Sequence, residues 1–190
     1  MKMKAVFGAA MLAVGLISGC ASLSEQPSGD VVVKKDSFEA EKTIVSVDSI
    51  LGMGEQYNLF INLEWHSGSK DVYLDAIYPQ IENVVALKIN ADGQMIDGRV
   101  CSAHTDFGAT VYSGLMYVSV PSFSLRRFCI STKEYEKIAQ SKLVKMKVST
   151  YTKYMVASFS PVGSKDVSNS STHAKAFSGF TTALRQNGAF

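Results

Sequence analysis

The chain has 190 residues, with 19 basic and 17 acidic side chains, three cysteines and 46% hydrophobic residues. This length suits one large or two small domains, and the apolar fraction is too high for a disordered chain, so we expect a packed core. The small positive charge comes from Lys2 and Lys4, because residues 20–190 carry 17 basic and 17 acidic side chains. A neutral body argues against nucleic acid as a partner, since phosphate binding depends on clustered lysine and arginine.

The first nineteen residues have the layout of a secretory signal. Two lysines lie within the first four residues, residues 5–17 are apolar or glycine, and Ser18 and Gly19 precede Cys20. The apolar run, of about 13 residues, is shorter than the roughly 20 that a membrane-spanning helix needs. We therefore interpret residues 1–19 as an export signal.

The end of this segment reads Ile17-Ser18-Gly19-Cys20. It resembles the lipobox of bacterial lipoproteins, in which an aliphatic residue and two small residues precede an invariant cysteine. The resemblance implies that the thiol of Cys20 receives a diacylglycerol, that the chain is cut before Cys20, and that the new amino terminus is acylated. Ala21 stands where an aspartate would favour inner-membrane retention, so the resemblance implies an outer-membrane lipoprotein.

Lipid chains on Cys20 would make the membrane a partner of the protein, since two chains already give stable anchoring. The expected location is the outer membrane, on its periplasmic face, with display on the cell surface as an alternative. Two other interpretations of this segment remain. It is an ordinary cleaved signal followed by a coincidental cysteine, or it is a buried core helix that contains a cysteine.

Cys101 and Cys129 are then the two cysteines left in an oxidising compartment, and we expect them to form a disulfide. Closing a loop of about 29 residues would stabilise the fold by roughly 3.6 kcal/mol in the chain-entropy model. The alternative is two buried, reduced thiols that do not meet.

Alternation of apolar and polar residues dominates residues 38–190, which we expect to form a single β-rich domain. Residues 20–37 are small, polar or charged and contain Pro27 and Gly29, so they predict a flexible tether, with a short edge strand as an option at the valines of positions 31–33. The clearest alternation covers residues 57–65, where every second residue is large and apolar. This pattern is typical of a half-buried strand.

Turn residues divide the rest of this region into further short strands. In chain order they are predicted at residues 72–78, 84–89, 95–101, 115–120, 125–130, 144–149 and 154–160. Asp92 and Gly93 predict a tight turn between two of them, because both residue types accept a positive φ. Residues 102–110 and 161–173 are predicted to be loops.

Two segments have helical spacing instead. Ser131 and Glu134 fit a capping box at the start of a helix over residues 131–142. A second amphipathic pattern places Phe177, Phe180 and Leu184 on one side of a C-terminal helix that ends near Asn187 and Gly188.

About nine strands and two helices predict an α+β domain that is mainly antiparallel β, because few connections are long enough for a parallel crossover. We expect the sheet to form a sandwich or a strongly bent sheet. One helix is inserted between strands, and the C-terminal helix closes an open end of the core.

The sequence predicts no metal, cofactor or nucleotide site. The three histidines, at 66, 104 and 173, lack the close spacing that places two ligands on one ion. A calcium loop around Gly93 is excluded, because its first and twelfth positions hold Lys88 and Arg99. The chain also lacks the Gly-x-Ser-x-Gly elbow, the Walker pattern and the dinucleotide-binding glycine pattern.

Four polar residues are the candidates for acid–base chemistry. Glu64 and His66 share the polar face of one predicted strand, and His104 and Asp106 would share a face if their loop is extended. The four could make one acid–base cluster if the fold brings the two pairs within roughly 10 Å. Solvent-facing side chains without a catalytic role are the alternative that we favour.

Residues 126–153 are locally basic and include two tyrosines. This patch comprises Arg126, Arg127, Lys142, Lys145, Lys147 and Lys153, with Tyr151 and Tyr154. Such a surface could contact lipopolysaccharide phosphates, anionic lipid or cell-wall polymer. We favour the alternative, a solvated strand face on which lysines discourage edge pairing.

Two functions from different classes follow from these patterns. The first is a non-catalytic, lipid-anchored periplasmic module that binds or scaffolds an envelope component, above all another protein, through a sheet edge or loops. The second is a periplasmic hydrolase or cell-wall-processing enzyme with a site assembled from Glu64, His66, His104 and Asp106. The missing catalytic motif favours the first.

Overall fold

The computed structural model describes residues 29–36, 42–108, 112–113, 116–117 and 122–190. The strands are β1 (Val31–Lys35), β2 (Thr43–Gly54), β3 (Leu59–His66), β4 (Asp71–Tyr78), β5 (Val84–Ala91), β6 (Gln94–Val100), β7 (Asp106–Phe107), β8 (Tyr112–Ser113), β9 (Met116–Tyr117), β10 (Ser124–Ser131), β11 (Val144–Thr150) and β12 (Tyr154–Phe159). The helices are α1 (Thr132–Gln140) and α2 (Ser170–Gln186).

Eight of these strands close into a barrel. The order around the wall is β2, β12, β11, β5, β6, β10, β4 and β3, and β3 pairs with β2 again. β1 lies along β2 outside the ring, β7 pairs with β10, and β8 and β9 form a separate hairpin. The predicted α+β class with mainly antiparallel strands is confirmed. The expected sandwich or strongly bent sheet is corrected to a closed barrel.

The long strand β2 explains how the sheet closes. It runs for 12 residues, and its register against β3 shifts between Val47 and Ile50. Ser49 lies at this irregularity with a φ of 58°, and its N–H donates to the side-chain oxygen of Asn62 at 2.7 Å. Because a bulge bends a strand and increases its twist, the first part of β2 pairs with β1 and the last part with β12. The sequence patterns single out neither this strand nor its bulge.

The first helix begins as predicted. Ser131 Oγ accepts the N–H of Glu134 at 3.3 Å, and the Glu134 carboxylate accepts the N–H of Ser131 at 2.7 Å. The C-terminal helix is also present, and it begins at Ser170, within the loop predicted at residues 161–173. The end of the loop predicted at residues 161–173 is therefore helical.

One continuous buried cluster fills the barrel and includes both helices. α2 packs against β2, β1 and α1, and it places Phe177, Phe180 and Leu184 in the cluster. The hydroxyl of Tyr135 in α1 donates to the carbonyl oxygen of Phe177 at 3.2 Å. The C-terminal helix thus completes the core, as expected from its apolar stripe.

Several predictions concern residues that the structure does not describe. The export signal, Cys20, residues 21–28 of the tether and most of the strand predicted at 115–120 lie outside the described residues. Within the predicted tether, Val31–Lys35 form β1. No helix in the described part of the chain is long and apolar enough to cross a membrane.

Candidate functional site

Glu64 and His66 lie on the outer face of β3, as the alternation predicts. His66 Nε2 donates to Glu64 Oε1 at 2.9 Å, and Arg127 Nη1 of β10 donates to the same oxygen at 2.9 Å. The ring of Tyr73 on β4 meets the His66 ring edge to face at 5.5 Å. The pair therefore belongs to an ionic network that crosses three strands.

Arg127 is the centre of this network. Its Nε and Nη2 atoms donate to the two carboxylate oxygens of Asp75 at 2.7 and 2.8 Å, which is a bidentate pair. Its guanidinium carbon lies 5.3 Å from the centre of the Tyr73 ring. The hydrogen bonds to Asp75 are the main cause that raises the pKa of Arg127 above its ordinary value, so its charge is permanent. These mutually satisfied charges hold β3, β4 and β10 together.

His104 and Asp106 form a second and separate pair. Their side chains lie 3.1 Å apart and are largely exposed. Asp106 belongs to β7, which pairs with β10 on the side away from β4, so β4 and β10 separate it from Glu64 on β3. Three strand spacings amount to about 14 Å. The structure thus gives two distinct pairs instead of the single four-residue cluster.

Cys101 and Cys129 lie at disulfide distance, with Cα atoms 5.8 Å apart. Cys129 is buried in β10, and Cys101 directly follows β6. The N–H of Cys101 also donates to the carbonyl oxygen of Arg127 at 3.0 Å. The geometry is that of the predicted disulfide, which fastens the start of the 101–107 segment to the barrel wall.

The predicted basic patch is divided by the fold. Arg126 Nη1 donates to the carbonyl oxygen of Val84, and Arg127 is occupied by the network described above. Lys145 and Lys147 lie instead on β11, and Lys153 lies at the turn between β11 and β12. The lysine side of the patch therefore borders β12, whereas Arg127 is held on β10 and Arg126 reaches Val84, the neighbour of Thr150 at the end of β11.

We call the junction of β2 and β12 the seam. It and the junction of β6 and β10 are the two shortest pairings in the barrel wall. Only Gly54↔Ala157 and Met53↔Ser158 are paired across the seam. Beyond these pairs a cleft of about 710 Å³ opens between the β2–β3 turn and β12. Its lining includes Met53, Tyr57, Tyr78, Lys145, Tyr154 and Val156.

The cleft combines apolar, aromatic and charged groups. Tyr78, only 2% exposed, lies at its floor, whereas Tyr57 and Tyr154 are exposed. Burial, with a smaller effect from the Glu82 carboxylate, raises the pKa of the Tyr78 hydroxyl. That hydroxyl therefore stays protonated and suits hydrogen bonding better than proton abstraction. Glu55 also lines the cleft, so its charges have both signs.

His173 has a structural environment that the sequence does not reveal. It is buried in α2, and it bonds two backbone groups near the seam, the carbonyl oxygen of Leu51 and the N–H of Ser160. Burial lowers the pKa of its imidazole. In the described part of the chain, no group of three side chains is arranged to hold a metal ion.

Comparisons with protein-family models, with curated proteins and with solved structures give no significant match.

Sequence reasoning identified the polar pairs, the disulfide partners and the lysines, but it missed the cleft. The lining comes from the β2–β3 turn, the end of β4, β11 and β12, which the barrel brings together. The signal in the sequence was the basic patch, because Lys145, Lys153 and Tyr154 belong both to it and to the cleft lining, but that pattern fits a solvated hairpin equally well.

Proposed function

We propose that this chain is a lipid-anchored periplasmic lipoprotein of the outer membrane that binds an envelope component in the cleft beside the seam, without catalysing a reaction. The lipid anchor is inferred from the sequence ending at Cys20. The observation that carries the binding function is the cleft itself, because its volume is in the usual range for ligand sites and exposed aromatic side chains border it.

The composition of the cleft supports binding more than catalysis. A catalytic site needs an acid, base or nucleophile within reach of the reacting group. No histidine or cysteine occurs among the described residues that line the cleft, and its buried tyrosine has a raised pKa. Its carboxylate, Glu55, and its lysines, Lys145 and Lys153, are exposed to solvent. The hydrolase alternative has less support, because Glu64 and His66 lie apart from His104 and Asp106.

Site-specific photocrosslinking in living cells tests this function. A photoreactive amino acid replaces Tyr57 or Tyr154 at the cleft, and in a control it replaces Met95 on β6, which is 59% exposed. We expect the same envelope component to be captured from both cleft positions and not from Met95. Products that are identical at all three positions, or absent from both cleft positions, would contradict the proposal.

A further inference from the structure

The two sides of β12 are paired very differently. Towards β11, six consecutive pairs extend from Ser149↔Tyr154 to Val144↔Phe159. Towards β2, pairing covers only Ala157 and Ser158. Within the described residues, no strand is therefore paired with residues 154–156 on the side that faces the cleft.

The backbone of this segment is oriented for pairing with another strand. The N–H of Thr150 donates to the carbonyl oxygen of Lys153 at 2.9 Å, which fixes the alternation of the hairpin. Hydrogen bonds towards β11 then fall on every second residue, so the N–H and carbonyl groups of Tyr154 and the N–H of Val156 are directed towards the cleft. The carbonyl oxygen of Val156 lies instead against Gly54 of β2, where the seam begins. Backbone groups on an open edge are a template for an added strand.

The side chains around this edge suit an extended peptide. Tyr154 and Val156 project outwards and are 65% and 37% exposed. Met53 and Tyr57 are exposed on the opposite side of the cleft. Because side chains of neighbouring strands on one face contact each other, alternate residues of an added strand would lie against these four groups.

The charges next to the edge add a further preference. Lys147 Nζ lies 4.0 Å from the centre of the Tyr154 ring, on the outer face of the hairpin. Lys145 lies on the same face of β11 and also lines the cleft. An acidic residue next to the apolar positions of the peptide would be attracted to these lysines.

We propose that an extended segment of another envelope protein binds in the cleft by adding a strand to the Tyr154–Val156 edge of β12. The segment carries alternate apolar side chains and at least one acidic residue. Main-chain hydrogen bonds supply affinity, and the exposed tyrosines and lysines supply specificity. This inference rests on the proposed function, because it names the occupant of the same cleft.

The first step of the test identifies the occupant with the full lipid-anchored chain in cells. A photoreactive amino acid at position 154 captures it, with position 151 at the hairpin tip as the control, since Tyr151 is also exposed. Mass spectrometry locates the captured residue. A synthetic peptide that copies the captured segment is then the probe for hydrogen exchange in the full chain in detergent.

Strand addition predicts where exchange changes. The amides of Tyr154 and Val156 should exchange at least tenfold more slowly when the peptide is saturating. The amides of Met155 and Ala157 already bond to β11 and should change much less. If a protein is captured but the synthetic peptide copied from it leaves hydrogen exchange at the amides of Tyr154 and Val156 unchanged, the inference is overturned.

Substitutions separate the backbone from the side chain. Tyr154→Pro removes an N–H that faces the cleft and leaves the bonds to β11 in place, whereas Tyr154→Ala removes only the ring. We expect Tyr154→Pro to weaken peptide binding at least tenfold more than Tyr154→Ala. If Tyr154→Pro unfolds the protein, two N-methylated peptides make the same distinction. One is methylated at the odd positions and the other at the even positions, and only the peptide that loses the N–H groups directed towards β12 should fail to bind.

The remaining outcomes distinguish this inference from the proposed function. Capture of a glycan strand or of lipopolysaccharide at position 154 would overturn strand addition and leave the cleft as a binding site. Absence of any specific product at positions 57 and 154 would overturn both proposals. Equal binding of both N-methylated peptides would also exclude a strand, even with a protein in the cleft.

Discussion

His173 Nε2 donates to the carbonyl oxygen of Leu51 at 2.6 Å, while Nδ1 of the same ring accepts the N–H of Ser160 at 3.1 Å. Leu51 lies in β2, and Ser160 directly follows β12. The ring thus joins these two strands just beyond Met53↔Ser158, where their own pairing ends. Since one nitrogen must accept and the other donate, this arrangement requires the neutral imidazole with its proton on Nε2.

The seam should therefore weaken in acid. Protonation adds a hydrogen to Nδ1, which faces the N–H of Ser160, and burial lowers the pKa of His173 below its ordinary value. The unfolded chain then binds the proton more readily, so this stabilisation is complete above about pH 6.5 and declines as the pH falls below it. The slope should approach about 1.4 kcal/mol per pH unit.

Urea unfolding between pH 8 and pH 5 measures this effect, with His173→Gln as the matched variant. A glutamine keeps an amide donor and acceptor but does not titrate, so the difference between the two proteins isolates His173 from His66 and His104. Equal dependence on pH in both proteins would show that His173 is not the titrating group.

Local patterns predicted local structure well, because their causes are local. The alternation of residues 57–65 and the capping box at Ser131 depend on near neighbours, and both elements are present. Barrel closure depends instead on the bulge in β2, which alternation does not encode. His173 is another case: its partner Leu51 is 122 residues away and contributes only a backbone oxygen, so no pattern of residue types marks the pair.

Asp75→Ala should destabilise the barrel wall strongly. It leaves the half-buried guanidinium of Arg127 without its bidentate partner, and we expect a loss of roughly 2–3 kcal/mol in the free energy of unfolding. Asp71→Ala on the same strand is the matched control, because its pair with Arg99 is more exposed and should contribute about 0.5 kcal/mol. Urea unfolding of both variants makes the comparison, and equal losses would argue against a special role for Arg127.

Gly52→Ala should disturb the packing of β2 against β12. A Cβ atom at this position would overlap the ring of Phe159, which is fully buried in the core. Overpacking of this kind costs about 1–3 kcal/mol. Gly98→Ala is the matched control, because the nearest atom to its added Cβ would be 3.1 Å away and the variant should be destabilised less. Thermal unfolding of both variants makes the comparison. The reverse order would contradict the described packing.

Loss of the disulfide should lower stability without changing the fold. Cys101 and Cys129 are separated by 28 residues, and the chain-entropy model assigns this loop about 3.6 kcal/mol. We expect the double variant Cys101→Ala and Cys129→Ala to unfold at lower urea concentration, with native circular dichroism at zero urea. Reductant should shift the wild-type midpoint in the same direction and leave the double variant unchanged. Two alkylatable thiols at these positions in oxidised wild-type protein would contradict the pairing.

Cys20 is predicted to determine where the domain resides. Cys20→Ser removes the thiol that would receive diacylglycerol, so we expect the uncleaved precursor to accumulate, with no lipid mass on the protein. Ala21→Asp is the matched control, because the lipobox resemblance implies that it is still acylated and cleaved but retained in the inner membrane. Intact-protein mass spectrometry and separation of the two membranes on a density gradient measure both effects. If Cys20→Ser is cleaved and associates with the membrane at the wild-type level, the lipid anchor at Cys20 is contradicted, because a chain without this thiol should keep its signal and carry no lipid.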